Sequence, residues 1–161
     1  MARRDRVARS LRSPRLRALH AAWSAARPEG GLPRLEDLDL DALEARDDLA
    51  VAMPEPGRAP LCFRLVRVGS HLVARAGRPL LNELICGGED PPGDPIGGAA
   101  WAYRRCFETA APSYEFAHFR FGEDGPLLFE RLLLPLGEHG RPARLLAASL
   151  FSEPGAEPEP G

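Results

Sequence analysis

The sequence predicts an α+β fold, and three observations carry that prediction. Apolar residues recur at helical spacing in the first and central parts of the chain, whereas the last third alternates with a period of two. Two turn segments, GEDGP and GEHGRP, divide that last third into three strands and predict an antiparallel meander. Two earlier strands bring the expected sheet to five antiparallel strands with helices on one face.

The N-terminal part predicts a leader helix that precedes the sheet. Residues 1–12 are Arg-rich and are expected to form a basic flexible tail. Ser13 is an N-cap residue and Pro14 occupies the first helical position, so a helix should begin there. An acidic segment with leucines at helical spacing completes the leader, which we bound at residues 13–46.

The central elements follow in a regular order. DLAVAMPEPG, at 48–57, predicts a short strand closed by Pro54 and Pro56. A second strand at 61–68 precedes a short helix that ends at Gly77, placed as its C′ residue. LLNELICGG is expected to add another helical turn, and 87–98 is a Pro/Gly-rich loop. The sequence then predicts an amphipathic helix over residues 99–111.

The meander completes the predicted domain. Its strands are expected at residues 113–121, 127–136 and 143–151, so that the folded domain spans 47–151. Residues 152–161 are rich in Pro, Gly and Glu and are expected to be disordered.

Composition excludes several functional classes. The 161 residues carry a net charge of −2, which gives no basic field for nucleic acid. No apolar run reaches the roughly 18 residues that a membrane span needs. Three widely spaced cysteines imply no disulfide framework, and we therefore expect a reduced, cytoplasmic setting.

Several segments resemble a bacterial PAS-like domain family, in the order that the family has them. FRLVRVGSHLVARAGRPL, at 63–80, is similar to its second strand and short helix, and AYRRCFETAAPSYE, at 102–115, to its connecting helix. ERLLLPL, at 130–136, resembles its most recognisable strand. Arg67 departs from the family pattern, because an apolar residue is usual there. The resemblance spans residues 16–151 and implies a stand-alone sensory or regulatory fold whose function is mostly unknown.

The resemblance also sets expectations for cofactors. PAS-type heme sensors use a His on the connecting helix, and residues 99–111 contain none. The Asn-Cys-Arg-Phe-Leu-Gln segment of light-sensing members is missing, although Asn82 and Cys86 stand near one another. We therefore expect no heme, no flavin and no other cofactor. The histidines are scattered and the acidic loop at 87–98 is expected to be solvated, so no metal site and no enzymatic activity are predicted.

The orientation of Glu130 and Arg131 inside FERLLLPL determines which face of the sheet is expected to hold the pocket and which is the outer face. Neighbours in a strand point to opposite faces. If the hairpin loop is 123–126, Phe119 pairs with Glu130, which places Glu130 toward the pocket and Arg131 on the outer face. A loop one residue longer or shorter reverses this choice. Arg67 could then pair with Glu130, either as an anchor for a polar ligand or as a structural ion pair.

The two expected surfaces follow from this assignment. The ligand pocket is expected to comprise Phe63, Leu65, Arg67, Tyr103, Phe107, Phe119, Glu130 and Leu132. The outer face, where we expect a homodimer built with the leader helix, comprises Leu16, Leu19, Trp23, Arg131 and Leu133. The leader helix could cover that face from the same chain or from a partner.

Three functional hypotheses remain open on the sequence. The first is a PAS-like sensory or regulatory module that acts through protein–protein association with a signalling partner and is gated by a small ligand. The second is a ligand-free interaction adaptor whose pocket is filled by its own side chains. The third is a small enzyme on a cone-shaped α+β fold, which would need adjacent acid and base groups in an open cavity.

Overall fold

The computed structural model describes residues 2–86, 100–120 and 126–152. The predicted loop at 87–98, the tip of the first hairpin and the C-terminal tail lie outside the described residues. The helices are α1 (Ala2–Ser10), α2 (Pro14–Ala26), α3 (Ser70–Ala76) and α4 (Ala100–Thr109). The strands are β1 (Leu49–Pro54), β2 (Phe63–Val68), β3 (Leu84–Ile85), β4 (Ser113–Arg120), β5 (Pro126–Glu138) and β6 (Arg141–Ser152).

The sheet is antiparallel and has the strand order β3-β2-β1-β6-β5-β4. Its strands 2-1-6-5-4 are the five that the sequence predicts, and β3 is an added edge strand. Within LLNELICGG, for which the sequence predicts a helical turn, Leu84–Ile85 instead forms a strand. Asn82 adopts a left-handed backbone conformation (φ 68°), after which Leu84 and Ile85 pair with Arg64 and Phe63.

The leader forms as the capping residues predict. The Ser13 hydroxyl accepts a hydrogen bond from the Arg15 amide at 3.2 Å, and Pro14 opens α2. The segment expected to be a flexible tail instead contains α1, and Leu11 behind it is buried. From here on, "leader" means α1 and α2 together, residues 2–26, and no longer the predicted segment 13–46.

Two apolar clusters lie on opposite faces of the sheet. On the outer face the leader packs onto even-numbered residues of β5 and β6, and its members include Leu16, Leu19, Trp23, Leu132, Leu134 and Leu146. On the inner face α3 and α4 pack onto odd-numbered residues of β5 and β6. The members of this inner cluster include Phe63, Leu65, Tyr103, Cys106, Leu133 and Leu145. Both faces of β5 and β6 are thus covered, which explains why their sequences are apolar without alternation.

Trp23 fixes the leader on the outer face. Its side chain is 1% exposed, and its indole N–H donates a hydrogen bond to the Pro135 carbonyl at 2.9 Å. The connection after α2 returns to the same strand, where the Gly137 amide donates to the Pro33 carbonyl at 2.9 Å. A Cβ at Gly137 would lie 2.9 Å from Leu32 Cβ, so this close approach requires glycine.

The cysteines correct one expectation. Cys62 and Cys86 are joined by a disulfide with a Cα–Cα distance of 4.5 Å, whereas Cys106 is free and buried. The wide sequence spacing gave no sign of this pairing. The β2–β3 contact brings the two residues together, since Cys62 precedes β2 and Cys86 follows β3.

Candidate functional site

Four residues of the expected pocket meet on the inner face. Phe63 and Leu65 project from β2 toward α4, where the Phe63 ring meets those of Tyr103 and Phe107 edge-on at 5.8 and 5.6 Å. Burial raises the pKa of the Tyr103 hydroxyl above its ordinary value, and the positive charge of Arg131 opposes that rise.

The remaining pocket residues lie elsewhere. Arg67 points to the outer side because the β1–β2 register shifts between Val51 and Ala52, which leaves Val66 as the extra residue of a bulge. Its guanidinium pairs with Asp41 at 2.9 Å rather than with Glu130. Glu130 and Leu132 belong to the leader side, and the side chain of Phe119 lies outside the described part.

The expected faces of Glu130 and Arg131 are therefore exchanged. Phe119 pairs with Leu127, and Glu130 pairs with Phe116, so the hairpin connection is longer than the four residues assumed. Arg131 and Leu133 accordingly lie on the inner face instead of the outer one. Leu16, Leu19 and Trp23 do cover the outer face, and they do so within the same chain.

Arg131 forms a buried ion pair on the inner face. Its side chain is 3% exposed, and Nη2 donates to Glu115 Oε2 at 2.9 Å across the β4–β5 pair. The guanidinium also lies 4.8 Å from the ring centre of Phe129. These contacts satisfy a charge that burial would otherwise make costly, and they assign Arg131 a structural role.

A polar cavity lies between the leader and the end of the sheet. This leader cleft has a volume of about 620 Å³. Its walls come from the α1–α2 junction, the 3-10 turn that precedes β1, α3, and the strands β4, β5 and β6. The lining residues are Arg12, Ser13, Pro14, Arg15, Glu44, Asp48, His71, Arg75, Phe116, Leu128, Glu130, Leu150, Phe151 and Ser152.

Asp48 is the polar centre of the leader cleft. The residue is 6% exposed, and its two oxygens contact two nitrogen-bearing side chains from different elements. Oδ1 lies 2.9 Å from Nδ1 of His71 on α3, and Oδ2 lies 3.5 Å from Nη1 of Arg15 on α2. A buried carboxylate needs such partners, and Asp48 thereby links the leader to α3.

A second polar contact lies on the strand side of the leader cleft. The Tyr114 hydroxyl donates to Glu130 Oε1 at 2.6 Å. Burial first, and then this carboxylate, raise the pKa of Tyr114, whereas the Arg12 backbone and side chain oppose the rise. The tyrosine therefore stays protonated and keeps donating to Glu130 throughout the neutral range.

Two arginines of the leader cleft stack on aromatic rings. Arg12 Cζ lies 4.1 Å from the ring centre of Phe116, and Arg75 Cζ lies 5.3 Å from that of Phe151. Both separations are within the range of a cation–π contact. The leader and α3 thus each supply an arginine that lies over an aromatic ring of the sheet.

The sequence offered weak signals for this cleft. Asp48 and His71 are 23 positions apart, and a single histidine in a sequence carries no sign of a distant carboxylate. Arg12 was assigned to the flexible tail. The one available signal was the acidic segment that ends at Asp48, directly before the first strand.

Solved structures similar to this chain are light-oxygen-voltage (LOV) domains. One, from work on a flavin analogue, has a TM-score of 0.41 at 12% identity over 65% of this chain and 78% of that chain. The LOV protein of Rhodobacter sphaeroides has a TM-score of 0.46 at 14% identity, covering 67% and 61%. The light state of the photoreceptor Aureochrome1 LOV has 0.46 at 9% identity, covering 67% and 83%.

The fold class is the predicted one. The strand order and the helices give a PAS-like α+β fold, the class to which these LOV domains belong. No protein-family model matches the chain, and no curated protein matches it in sequence. Membership of the particular bacterial family stays a prediction.

The expectation of no cofactor is contradicted by these neighbours, since LOV domains are flavin proteins and one of them was studied with a flavin analogue. No helix among the described residues is long and apolar enough to cross a membrane.

Proposed function

We propose that this chain is a PAS-like sensory module that binds a small ligand in the leader cleft and passes that state to a protein partner through the leader. The proposal rests on one observation, which is that several elements of the fold line the cleft together. Its walls come from the leader, from α3 and from the sheet, so a molecule held there touches the leader and the elements on which the leader packs.

The leader is suited to be the output element. It covers an apolar sheet face, and burying each of its large side chains stabilises that docking by about 1.5–3 kcal/mol. It is also held at the cleft by the long Arg15–Asp48 contact of 3.5 Å. A ligand that weakens or strengthens the Arg15–Asp48 contact changes how tightly the leader packs on the sheet, while the inner apolar cluster stays as it is.

Native mass spectrometry of protein purified from its host tests the proposal. We expect a retained small molecule, and we expect the Asp48→Asn variant to retain less of it. The Asp39→Asn variant is the control, because Asp39 is exposed and does not line the cleft. Retention that is the same in all three proteins would contradict a ligand site in the leader cleft.

The predicted homodimer and cytoplasmic location stay proposals. The leader already covers the outer face in cis, so a dimer on that face requires two copies to exchange leaders. Sedimentation at high micromolar concentration should then show a dimer, and a monomer there would contradict it. The location was predicted from an assumed lack of disulfides, and that premise is wrong for Cys62 and Cys86.

The ligand-free adaptor is the second candidate, and one observation favours it. The rings of Phe63, Tyr103 and Phe107 occupy the inner face where the sequence places a ligand pocket. An adaptor predicts that protein from its host carries no small molecule while still binding its partner.

One observation supports the hypothesis of a small enzyme. Asp48 and His71 are an adjacent titratable pair in an open cleft, which is the arrangement that this hypothesis needs. We assign the pair to ligand recognition because Asp48 also contacts the Arg15 guanidinium of the leader, at 3.5 Å, and so links the pair to the leader.

A further inference from the structure

The two stacked arginines of the leader cleft are the starting point. Arg12 lies over Phe116 at 4.1 Å, and Arg75 lies over Phe151 at 5.3 Å. Stacking uses the face of a guanidinium and leaves its N–H groups, which lie in the plane, available for an acceptor. Both side chains line the same cavity.

The other basic side chains of the leader cleft already have an acceptor. Arg15 and His71 both contact Asp48. In contrast, within the part of the chain that the structure describes, neither Arg12 nor Arg75 has a carboxylate at ion-pair distance from its guanidinium. Arg12 and Arg75 therefore keep hydrogen-bond donors to spare. They reach the cleft from opposite sides of the sheet, because Phe116 pairs with Glu130 on the leader side whereas the Phe151 ring lies 5.1 Å from that of Phe129 on the inner side.

The carboxylates of the leader cleft are engaged more fully. Asp48 contacts both Arg15 and His71, and Glu130 accepts a hydrogen bond from the Tyr114 hydroxyl at 2.6 Å. Glu44 is exposed at the rim. Formal charges of the lining nearly cancel, so the preference for a ligand comes from the unused donors and not from net charge.

Apolar side chains supply the rest of the cavity wall. Leu128, Leu150 and the two phenylalanine rings line it beside the arginines. A cavity of about 620 Å³ is in the range of small-molecule sites, which are mostly apolar with a few polar groups that fix orientation. The ligand should therefore have an apolar body and one acidic head.

We propose that the leader cleft binds a small organic anion, an apolar or aromatic molecule with a carboxylate or phosphate head, and that Arg12 and Arg75 bind the head. Guanidinium groups match the planar acceptor edge of such heads. This inference rests on the proposed sensory function only for the location of the site, and its test is separate.

The test compares an acid with its neutral isostere on the full chain. Calorimetric titration uses 3-phenylpropionate, 3-phenylpropionamide and phenyl phosphate as probes. We expect the wild-type protein to bind at least one of the two acids about tenfold more tightly than the amide, since the charge-assisted hydrogen bonds are lost with the amide. Equal binding of acids and amide, or binding of none of them at millimolar concentration, would overturn the proposal.

Variants assign the head to the two arginines. Arg12→Gln and Arg75→Gln should each weaken acid binding by about tenfold. Arg105→Gln is the matched control, because Arg105 also lies over an aromatic ring, Trp101 at 5.3 Å, but does not line the cleft. Its binding should match wild type. If a glutamine variant fails to fold, Arg75→Lys and Arg12→Lys, which keep the charge, are titrated instead and should also bind the acids more weakly. Acid binding that is unchanged in every Arg12 and Arg75 variant overturns the proposal.

The outcome can be separated from that of the sensory proposal. In a Trp101→Phe background, Trp23 emission reports the leader alone. Acid binding without a change in that emission supports the anion site and contradicts the sensory role. A change caused only by neutral compounds supports the sensory role and overturns the anion site.

Discussion

Asp48 shows how one residue decides the character of a site. The local sequence makes it the last residue of an acidic 3-10 turn, yet the fold buries it between a leader arginine and an α3 histidine. Because Asp48 has two partners, the loss of one contact leaves the other in place. The cost of burying its carboxylate is uncompensated only when both contacts are lost. Asp48 therefore stabilises the junction of three elements.

Asp48→Asn should lower the free energy of unfolding by about 1 kcal/mol or more, since it removes a charge-assisted acceptor from two donors. Urea unfolding measures the change. Asp39→Asn is the control and should stay within about 0.5 kcal/mol of wild type, as exposed substitutions generally do. Equal stability of both variants would show that the Asp48 contacts contribute nothing.

Trp23→Phe should destabilise the protein by about 1–3 kcal/mol, because a cavity and an unsatisfied Pro135 carbonyl replace a buried indole. Thermal unfolding measures it. Trp101→Phe, at a side chain that is 61% exposed, should have little effect. A neutral Trp23→Phe would contradict the docked position of the leader.

At the scale of elements, the sequence predicts the strands and helices well but not their faces. Capping residues and period fix the start of α2, the end of α3 and the three meander strands. The length of the hairpin loop between β4 and β5 determines which side of β5 faces the leader and which side faces the inner helices. A change of one residue in that length exchanges the two faces of the strand. The bulge at Val66 turns Arg67 in the same way. The cleft was missed because its polar contacts join residues that are distant in the chain.

The leader helix should respond to acid through His20. Burial lowers the pKa of His20 from its ordinary value of 6.5, and its Nε2 is buried with no hydrogen-bond partner. The folded state therefore binds this proton less readily than the unfolded state. Stability is complete above the unfolded pKa and falls as pH drops below it, toward the lowered folded value.

Unfolding measured from pH 7.5 to 5.0, a window set by the ordinary histidine pKa, tests this expectation. His20→Phe keeps an aromatic ring beside Trp23 and should flatten the pH dependence. His139→Asn, at an exposed turn residue with φ 51°, should leave the dependence as it is. A pH profile that His20→Phe does not alter would rule out this histidine as the source.

At the scale of the whole molecule, a sheet is enclosed by two layers with different roles. On the inner side α3 and α4 pack on the sheet through an apolar cluster, and the Cys62–Cys86 disulfide joins β3 to the start of β2 at the sheet edge. The outer layer is the leader, which packs on apolar residues along most of its length and on polar residues at the cleft. Ligand-dependent change is therefore expected on the outer side.

Removing the disulfide should destabilise the molecule without releasing the leader. Closing a chain loop with a sequence separation of 24 stabilises the folded state by about 3 kcal/mol in the loop-entropy account. Cys62→Ser/Cys86→Ser and reduced wild type should unfold alike and earlier than oxidised wild type. Identical unfolding of the oxidised and reduced wild-type protein would contradict the pairing.

The most direct measurement of the central claim is Trp23 emission in the Trp101→Phe protein, titrated with the small molecule that it retains from its host. Ligand in the leader cleft should shift the emission maximum of the buried Trp23 and saturate with occupancy, and Asp48→Asn should weaken the response. Saturating occupancy with an unchanged Trp23 spectrum would contradict the account, because the leader would then be indifferent to the cleft.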